Sequence, residues 1–361
     1  LGCVADEPHS MEQSDALSSL CESVSIHRLP RWSRFRGALG SLLSTSSITE
    51  GAFYQSGLAR QTRQWTREHE MAAAVIFCSS MYQYTHCFTN RPRRVVVDLV
   101  DVDSQKWDDY ADYTSGPKQW LYRRESKRIE KLESKIASES DAVVLVSEHE
   151  SELFGKRHTG FQSIPLSNGV DLDFFHPRET LGFVDTLSGG PRLVFVGVLD
   201  YHPNVQGLVW FCEKVLPTLR ETYSNLSLDI VGRNPNIHVQ RLSEFEGVRV
   251  VGEVADVRPY IHAADIAIAP LLIARGIQNK VLEALACECP VIASSAAATG
   301  IESTHGLFIA DSVTEWSAQL NRLQNAEVRK QAGRAARQNM ERLYSWDARL
   351  TPMLDLLQIP A

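Results

Sequence analysis

The sequence predicts an α/β protein of two domains, each built on a parallel sheet. Three observations carry that expectation. The chain has 361 residues, enough for two ordinary α/β domains and long for one. Short β-branched apolar runs alternate with longer amphipathic ones, the rhythm of βαβ units with right-handed crossovers. A turn-rich stretch, Ser188-Gly189-Gly190-Pro191, divides two such series.

In the C-terminal half the strand candidates are Leu193–Val196, Leu228–Val231, Val248–Val251, Ile266–Ala269 and Val291–Ala293. Their near-continuous apolar character is that of strands covered on both faces. Val209, Cys212, Val215 and Leu216 lie at helical spacing after the first of them. The N-terminal half repeats the rhythm less cleanly with Val24–Ile26, Ala74–Phe77, Val95–Val97 and Val143–Val146. A long helix is expected over Pro117–Ser138, with Leu121, Ile129, Leu132 and Ile136 on its buried stripe and its Lys, Arg and Glu residues on a solvated face. The domains are expected at 1–174 and 192–343, joined by a linker over 175–191, with a last helix over 344–361 crossing back to the first domain. The opening Leu1-Gly2-Cys3-Val4-Ala5-Asp6 has the character of a strand end entering a loop, so a preceding strand–loop–helix unit is expected to be missing from the first domain.

The bulk chemistry narrows the class. The chain is 43% hydrophobic and 22% charged, the balance of a soluble globular protein. Its formal charge of -7 gives no reason to expect nucleic acid as a partner. No apolar run reaches about 18 residues, so no transmembrane helix is expected, and no signal peptide is visible. The seven cysteines are scattered, and only Cys287 and Cys289 are close, without the further ligands that a zinc site needs. A reducing, cytoplasmic setting and no metal are expected.

In open parallel sheets ligands sit beyond the carboxyl ends of strands. The corresponding loops of the second half are Gly197-Val198-Leu199-Asp200, Gly232-Arg233-Asn234, Gly252-Glu253 and Pro270 to Gly276. Three begin on glycine, as a tight turn or a close backbone approach to a ligand would require. The segment Arg275-Gly276-Ile277-Gln278-Asn279-Lys280-Val281-Leu282-Glu283 leads a glycine turn into a helix whose first N–H groups favour an anion. Arg275 and Lys280 flank that end, and Glu283 follows on the same face as Lys280. Two readings fit: a diphosphate site with a carboxylate for ribose hydroxyls, or an ordinary i,i+3 surface pair. In the first half, Asp98, Asp101 and Asp103 follow the Val95–Val97 strand, where one of them could face a reacting centre or all could cap turns. Ser80 and His86 are weaker candidates after another strand. The stretch from Arg28 to Leu43 carries Trp32, Phe35, Leu39 and Leu42 at helical spacing among Arg31, Arg34 and Arg36, which suits either a membrane surface or packing on its own domain.

The string Lys280-Val281-Leu282-Glu283-Ala284-Leu285-Ala286-Cys287, with Pro290-Val291-Ile292-Ala293 after it, resembles the donor-site signature of the retaining family 4 glycosyltransferases. Ser167-Asn168-Gly169-Val170-Asp171 with Phe175 and Pro177, Asp229-Ile230-Val231-Gly232, Val251-Gly252-Glu253-Val254-Ala255-Asp256 and Tyr344-Ser345-Trp346 match in order, from about 143 to 347. More narrowly, Asp98 to Trp107, Asp200-Tyr201-His202-Pro203-Asn204-Val205 and Arg275 to Lys280 resemble the subgroup of exosortase (PEP-CTERM) exopolysaccharide systems.

The resemblance implies a GT-B fold of two facing Rossmann-like domains with an interdomain cleft. It also implies a UDP- or GDP-linked sugar donor as co-substrate, no other cofactor, no metal, and transfer with retention. The basic amphipathic stretch from Arg28 to Leu43 would suit a glycan or lipid-linked glycan acceptor at the inner face of a bacterial membrane. Carried onto this chain, Glu283 would hold the ribose, Gly252, Glu253 and Val254 would face the base, and Gly276, Ile277 and Gln278 would meet the diphosphate. The strand-end loops place Gly197, Gly232 and Arg233 on the expected floor, and Arg275 and Lys280 are expected to supply the positive charge for the leaving group. Two departures stand out. Arg275 occupies the place of a Glu that contacts the transferred sugar, and the usual Arg and Lys pair after the first strand of the second domain is missing, Gly197 being followed by Val198, Leu199 and Asp200. A nucleotide-sugar epimerase of the same fold and a non-catalytic scaffold with a decayed site are the competing readings.

Overall fold

Val95, Val96 and Val97 have almost no exposure, and alternation sends their side chains to opposite faces of one sheet. The computed structural model describes residues 1–5, 14–42, 44–177, 190–274, 276–302 and 305–358. The chain divides into two units, Leu1–Leu166 with Pro352–Ala361, and Ser167–Thr351.

Among the described residues the first unit holds six strands: β1 (Gly2–Ala5), β2 (Ser25–Arg28), β3 (Ala73–Phe77), β4 (Arg94–Val100), β5 (Ala142–Leu145) and β6 (Ile164–Pro165). β1 and β2 form a parallel pair, and β3-β4-β5-β6 form a parallel sheet in sequence order. On one face Val95, Val97 and Leu99 pack with Ile129, Leu132 and Ile136 of the Gly116–Glu139 helix. On the other, Val96 and Val144 meet Leu357 near the end of the Trp346–Leu357 helix.

The charged residues of the Gly116–Glu139 helix are not all on a solvated face, and here the sequence expectation is corrected. Glu125 and Glu133 are fully buried. Glu125 accepts the Ile48 and Thr49 N–H groups at 2.8 and 2.9 Å, capping the Ile48–Ala52 helix. Glu133 accepts from the Ser104 N–H and hydroxyl and lies 3.0 Å from the His158 ring. Burial is tolerated because each carboxylate exchanges water for several donors.

The second unit holds β7 (Arg192–Val196), β8 (Ser227–Val231), β9 (Val248–Gly252), β10 (Ile266–Ala269), β11 (Val291–Ala293) and β12 (Leu307–Ile309). All pair parallel, in the order β9-β8-β7-β10-β11-β12, the doubly wound arrangement with the first strand central. The helical run after β7 is helix His202–Trp210, a π turn over Phe211–Val215 and helix Leu216–Thr222. Pro217 has no N–H to continue the ladder, and the Leu216 N–H reaches back to the Phe211 carbonyl instead.

The segment from Ser167 belongs to this unit through main-chain anchors. The Val170 N–H donates to the Tyr344 carbonyl at 2.7 Å, and Arg337 donates to the Phe175 carbonyl at 2.6 Å. Asp229, buried within β8, accepts both a 2.8 Å and a 2.7 Å hydrogen bond from Arg249 of β9. Arg249→Ala would leave that carboxylate without its bidentate partner. It is expected to lower unfolding stability by about 1–3 kcal/mol, read as a drop in the urea midpoint. An unmoved midpoint would show that the pair contributes nothing to the sheet.

Candidate functional site

In the doubly wound order of the second sheet, chain direction switches sides between β7 and β10, and sheets of this kind bind ligands outside the carboxyl ends of the strands at that point. Gly197 directly follows β7, and its N–H donates to the Val231 carbonyl at 3.0 Å. Gly232 follows β8 and donates to the Gly252 carbonyl at 2.8 Å. A Cβ on Gly232 would stand 1.7 Å from the Gly197 carbonyl oxygen, so no side chain fits there. The structure thus brings Gly197, Gly232 and Gly252 together as a floor of bare backbone.

Lys280 rises beside this floor from the first turn of the Asn279–Ala286 helix. Its Nζ donates to Asn204 Oδ1 at 2.5 Å and stands 4.6 Å from the centre of the Phe195 ring. A Cβ on Gly197 would meet the Asn204 amide at 3.0 Å and Lys280 Nζ at 3.2 Å, so the glycine leaves the room they occupy. Burial pushes the Lys280 ammonium down to about 8, with Glu283 opposing. Burial likewise raises the Glu283 carboxyl above the ordinary range, with Lys280 opposing. Among the described residues the half-buried Glu283 carboxylate has no hydrogen-bond or ion-pair partner. Two half-desolvated groups of opposite sign beside an uncapped helix start can take an anion and a hydroxyl donor together.

The other expected residues of this unit divide by environment. Arg275 lies outside the described residues. Gly276 and Gln278 lead into the helix, while Ile277 turns its side chain into the core, leaving only its backbone for a ligand. Arg233 and Glu253 are exposed, and Val254 packs partly against the core. Asn168 donates to Asn279 Oδ1 at 3.2 Å, tying the Ser167–Asp171 element to the start of that helix.

In the first unit, β4 runs through Asp98 to Val100, so Asp98 lies within the strand and not after it. Its Oδ1 accepts the Val100 N–H at 2.9 Å, and burial raises its carboxyl. Val100 holds a φ of 66°, a left-handed conformation costly for a β-branched residue, and Cys78 after β3 holds the same value. The loop onward is pinned at three points. The Val102 N–H donates to buried Glu150 at 2.8 Å, the Ser79 hydroxyl to Asp103 at 2.7 Å, and the Ser104 N–H to buried Glu133 at 3.0 Å. Asp103 therefore fixes a helix start, whereas Asp98 and Asp101 are half-buried at the strained edge. Ser80 contacts the Cys78 sulfur at 3.1 Å, and His86 is engaged by Lys135 at 2.7 Å and by the Gln83 carbonyl at 3.0 Å.

The Arg31–Leu42 helix docks by its small face: a Cβ on Gly37 would stand 1.9 Å from the Gly51 carbonyl oxygen. Its apolar stripe is left outside, with Trp32, Phe35 and Leu39 exposed by 70%, 59% and 53%. Arg124 of the Gly116–Glu139 helix donates to the Ser41 carbonyl at 2.8 Å, and the same helix carries the exposed Trp120 and the basic Lys127, Arg128 and Lys131. Among the described residues no helix is long and apolar enough to cross a membrane.

Sequence reasoning did not single out Asn204 or Phe195 as site residues. Asn204 had a usable signal: it shares a helical stripe with Leu208 and Phe211, and a polar residue among buried neighbours needs a partner.

The described fold is similar to several solved structures. They include sucrose-phosphate synthase from Thermosynechococcus elongatus (TM-score 0.61, 17% identity, over 84% of this chain and 77% of that one). Anabaena HepE in complex with UDP and glucose aligns with a TM-score of 0.65 at 14% identity, over 99% and 90%. A UDP-forming α,α-trehalose-phosphate synthase from Burkholderia xenovorans aligns with a TM-score of 0.64 at 12% identity, over 99% and 98%. No curated protein matches the sequence. The fold class is the α/β GT-B class, with a parallel sheet in each unit. Residues 190–326, which run from β7 through β12 and carry Lys280 and Glu283, match the family model of the group 1 glycosyl transferases.

Proposed function

We propose that this chain is a glycosyltransferase that moves a sugar from a nucleoside-diphosphate donor to a glycan or lipid-linked glycan acceptor, with retention at the anomeric carbon. The observation that carries the reading is the Lys280–Glu283 pair at the switch point of a sheet that lies in the segment matching the group 1 family. In this reading Glu283 accepts the ribose hydroxyls, and Lys280 with the helix N-terminus stabilises the departing diphosphate. Arg275 adds a second cation. The bond from the anomeric carbon to the diphosphate oxygen breaks, a bond to the acceptor oxygen forms on the same face, and the acceptor proton passes to the departing phosphate. The chain's task is then positioning and charge stabilisation. Asp98, within β4, or Asp101, on the pinned loop after it, would orient the acceptor hydroxyl. The segments resembling exopolysaccharide systems point to a polysaccharide precursor as acceptor.

Thermal shift tests the donor site. UDP or GDP is expected to raise the melting temperature of wild type, by about 2.7 kcal/mol of stability at a hundredfold excess over its Kd, and clearly less in Glu283→Ala. The same measurement against pH has a predicted sign. Lys280 is charged below about 8, so affinity should weaken about tenfold between roughly pH 7 and pH 9. The slope should flatten in Lys280→Gln. If neither nucleotide stabilises wild type, the transferase reading falls.

The acceptor side includes a proposed contact with an anionic membrane surface through the Arg31–Leu42 helix. Its solvent-facing Trp32, Phe35 and Leu39 and its arginines, with no acidic residue between, support that contact. In co-sedimentation with vesicles containing phosphatidylglycerol, wild type is expected to pellet, and Trp32→Ala/Phe35→Ala to stay in the supernatant. Wild type remaining in the supernatant would remove the membrane from the proposal.

A further inference from the structure

We infer that Asn204 is a positioning residue for Lys280, holding the ammonium over the glycine floor where the donor diphosphate would lie; the inference rests on the donor-site reading above. Asn204 is 3% exposed, on the first turn of the His202–Trp210 helix. Its main-chain N–H donates to the Tyr201 carbonyl at 3.0 Å, which fixes where the side chain starts. The orientation of the amide follows from its two partners. The Val198 carbonyl, 2.8 Å away, can only accept, so it takes the Nδ2 end. An ammonium can only donate, so Lys280 takes the Oδ1 end at 2.5 Å. Reversing the amide would break both bonds.

The choice of an amide has a consequence for charge. A buried ammonium needs an acceptor in place of water. A carboxylate would supply one and cancel the charge, whereas an amide supplies one and leaves the full positive charge for an anionic ligand. The Phe195 ring below Lys280 acts in the same way, since its face attracts the cation without neutralising it. Among the described residues the charged group that acts on Lys280 is Glu283, one turn further along the helix. The other elements at the ammonium contribute the neutral Asn204, Phe195 and Gly197.

The test separates positioning from a purely structural role and needs no ligand for its first arm. Competitive acetylation with acetic anhydride across pH, read at Lys280 by peptide mass, gives the titration midpoint of that lysine in the free protein. Wild type is expected near 8. Asn204→Asp, nearly isosteric, should raise the midpoint by about one pH unit or more, and Asn204→Ala should lower it. In the second arm, UDP and GDP affinity near neutral pH should fall about tenfold in Asn204→Ala. A residue that merely tethers the Val198 turn would lower the melting temperature and leave the Lys280 midpoint unchanged, which overturns the inference. Midpoints that move while neither nucleotide binds wild type would overturn the donor reading and the role assigned to Lys280 in it. Asn204→Asp keeps the test decisive if Asn204→Ala fails to fold.

Discussion

A primary ammonium can leave water only where something else accepts its protons, and the carboxyl edge of the second sheet is arranged around that requirement at Lys280. Asn204 supplies the oxygen and Phe195 a cation-attracting face. Both demand space at the end of β7, which is why the residue there is Gly197. Gly197 in turn brings its carbonyl so close to Gly232 that the end of β8 must also lack a side chain. One partly buried charge therefore sets the residue types at the ends of two neighbouring strands. The doubly wound strand order puts the end of β7, together with that of β10, at the switch point.

The first unit meets a different requirement by related means. The loop after β4 starts from a left-handed Val100, and such a conformation persists only when the surroundings over-determine it. Buried Glu150 and Glu133 do so by taking the Val102 and Ser104 N–H groups, while Asp103 takes the Ser79 hydroxyl. Three carboxylates thus act as fixed anchors for a segment only a few residues long. What they hold in place is the edge that carries Asp98 and Asp101. A loop immobilised in this way reorganises little when charge develops nearby, which is the condition for electrostatic stabilisation to be effective.

The strands were legible because their signal is local. Five apolar runs of the second half coincide with β7 to β11, since a strand buried on both faces has no polar residue to confuse the pattern. β12, Leu307–Ile309, is too short and too exposed at Ile309 to declare itself. Lys280 and Glu283 were legible as a pair because helical spacing fixes their common face. Asn204 was not legible as the partner of Lys280, because 76 residues separate them and only the folded sheet brings them together. Glu125 and Glu133 misled for the opposite reason: in sequence they are indistinguishable from the solvated glutamates beside them, and burial is decided by segments far away in the chain. Local periodicity reveals which residues share a face, and it cannot reveal which polar groups that face will satisfy.

The departures from the resembled family pattern can be weighed in the same currency of charge. Losing an Arg and a Lys after the first strand of the second domain removes two positive charges, a change of -2. Replacing a Glu by Arg275 removes one negative charge and adds one positive, a change of +2. In the proposed donor site the formal charge is conserved, and along the sequence its positive residues move from the segment after β7 to positions 275 and 280. Such a shift would leave the attraction for a diphosphate intact and alter what surrounds the sugar beyond it. Under that arrangement the neutral partners of Lys280 become essential to the logic of the site, since a carboxylate at position 204 would subtract one of the two cations on which the leaving group would depend.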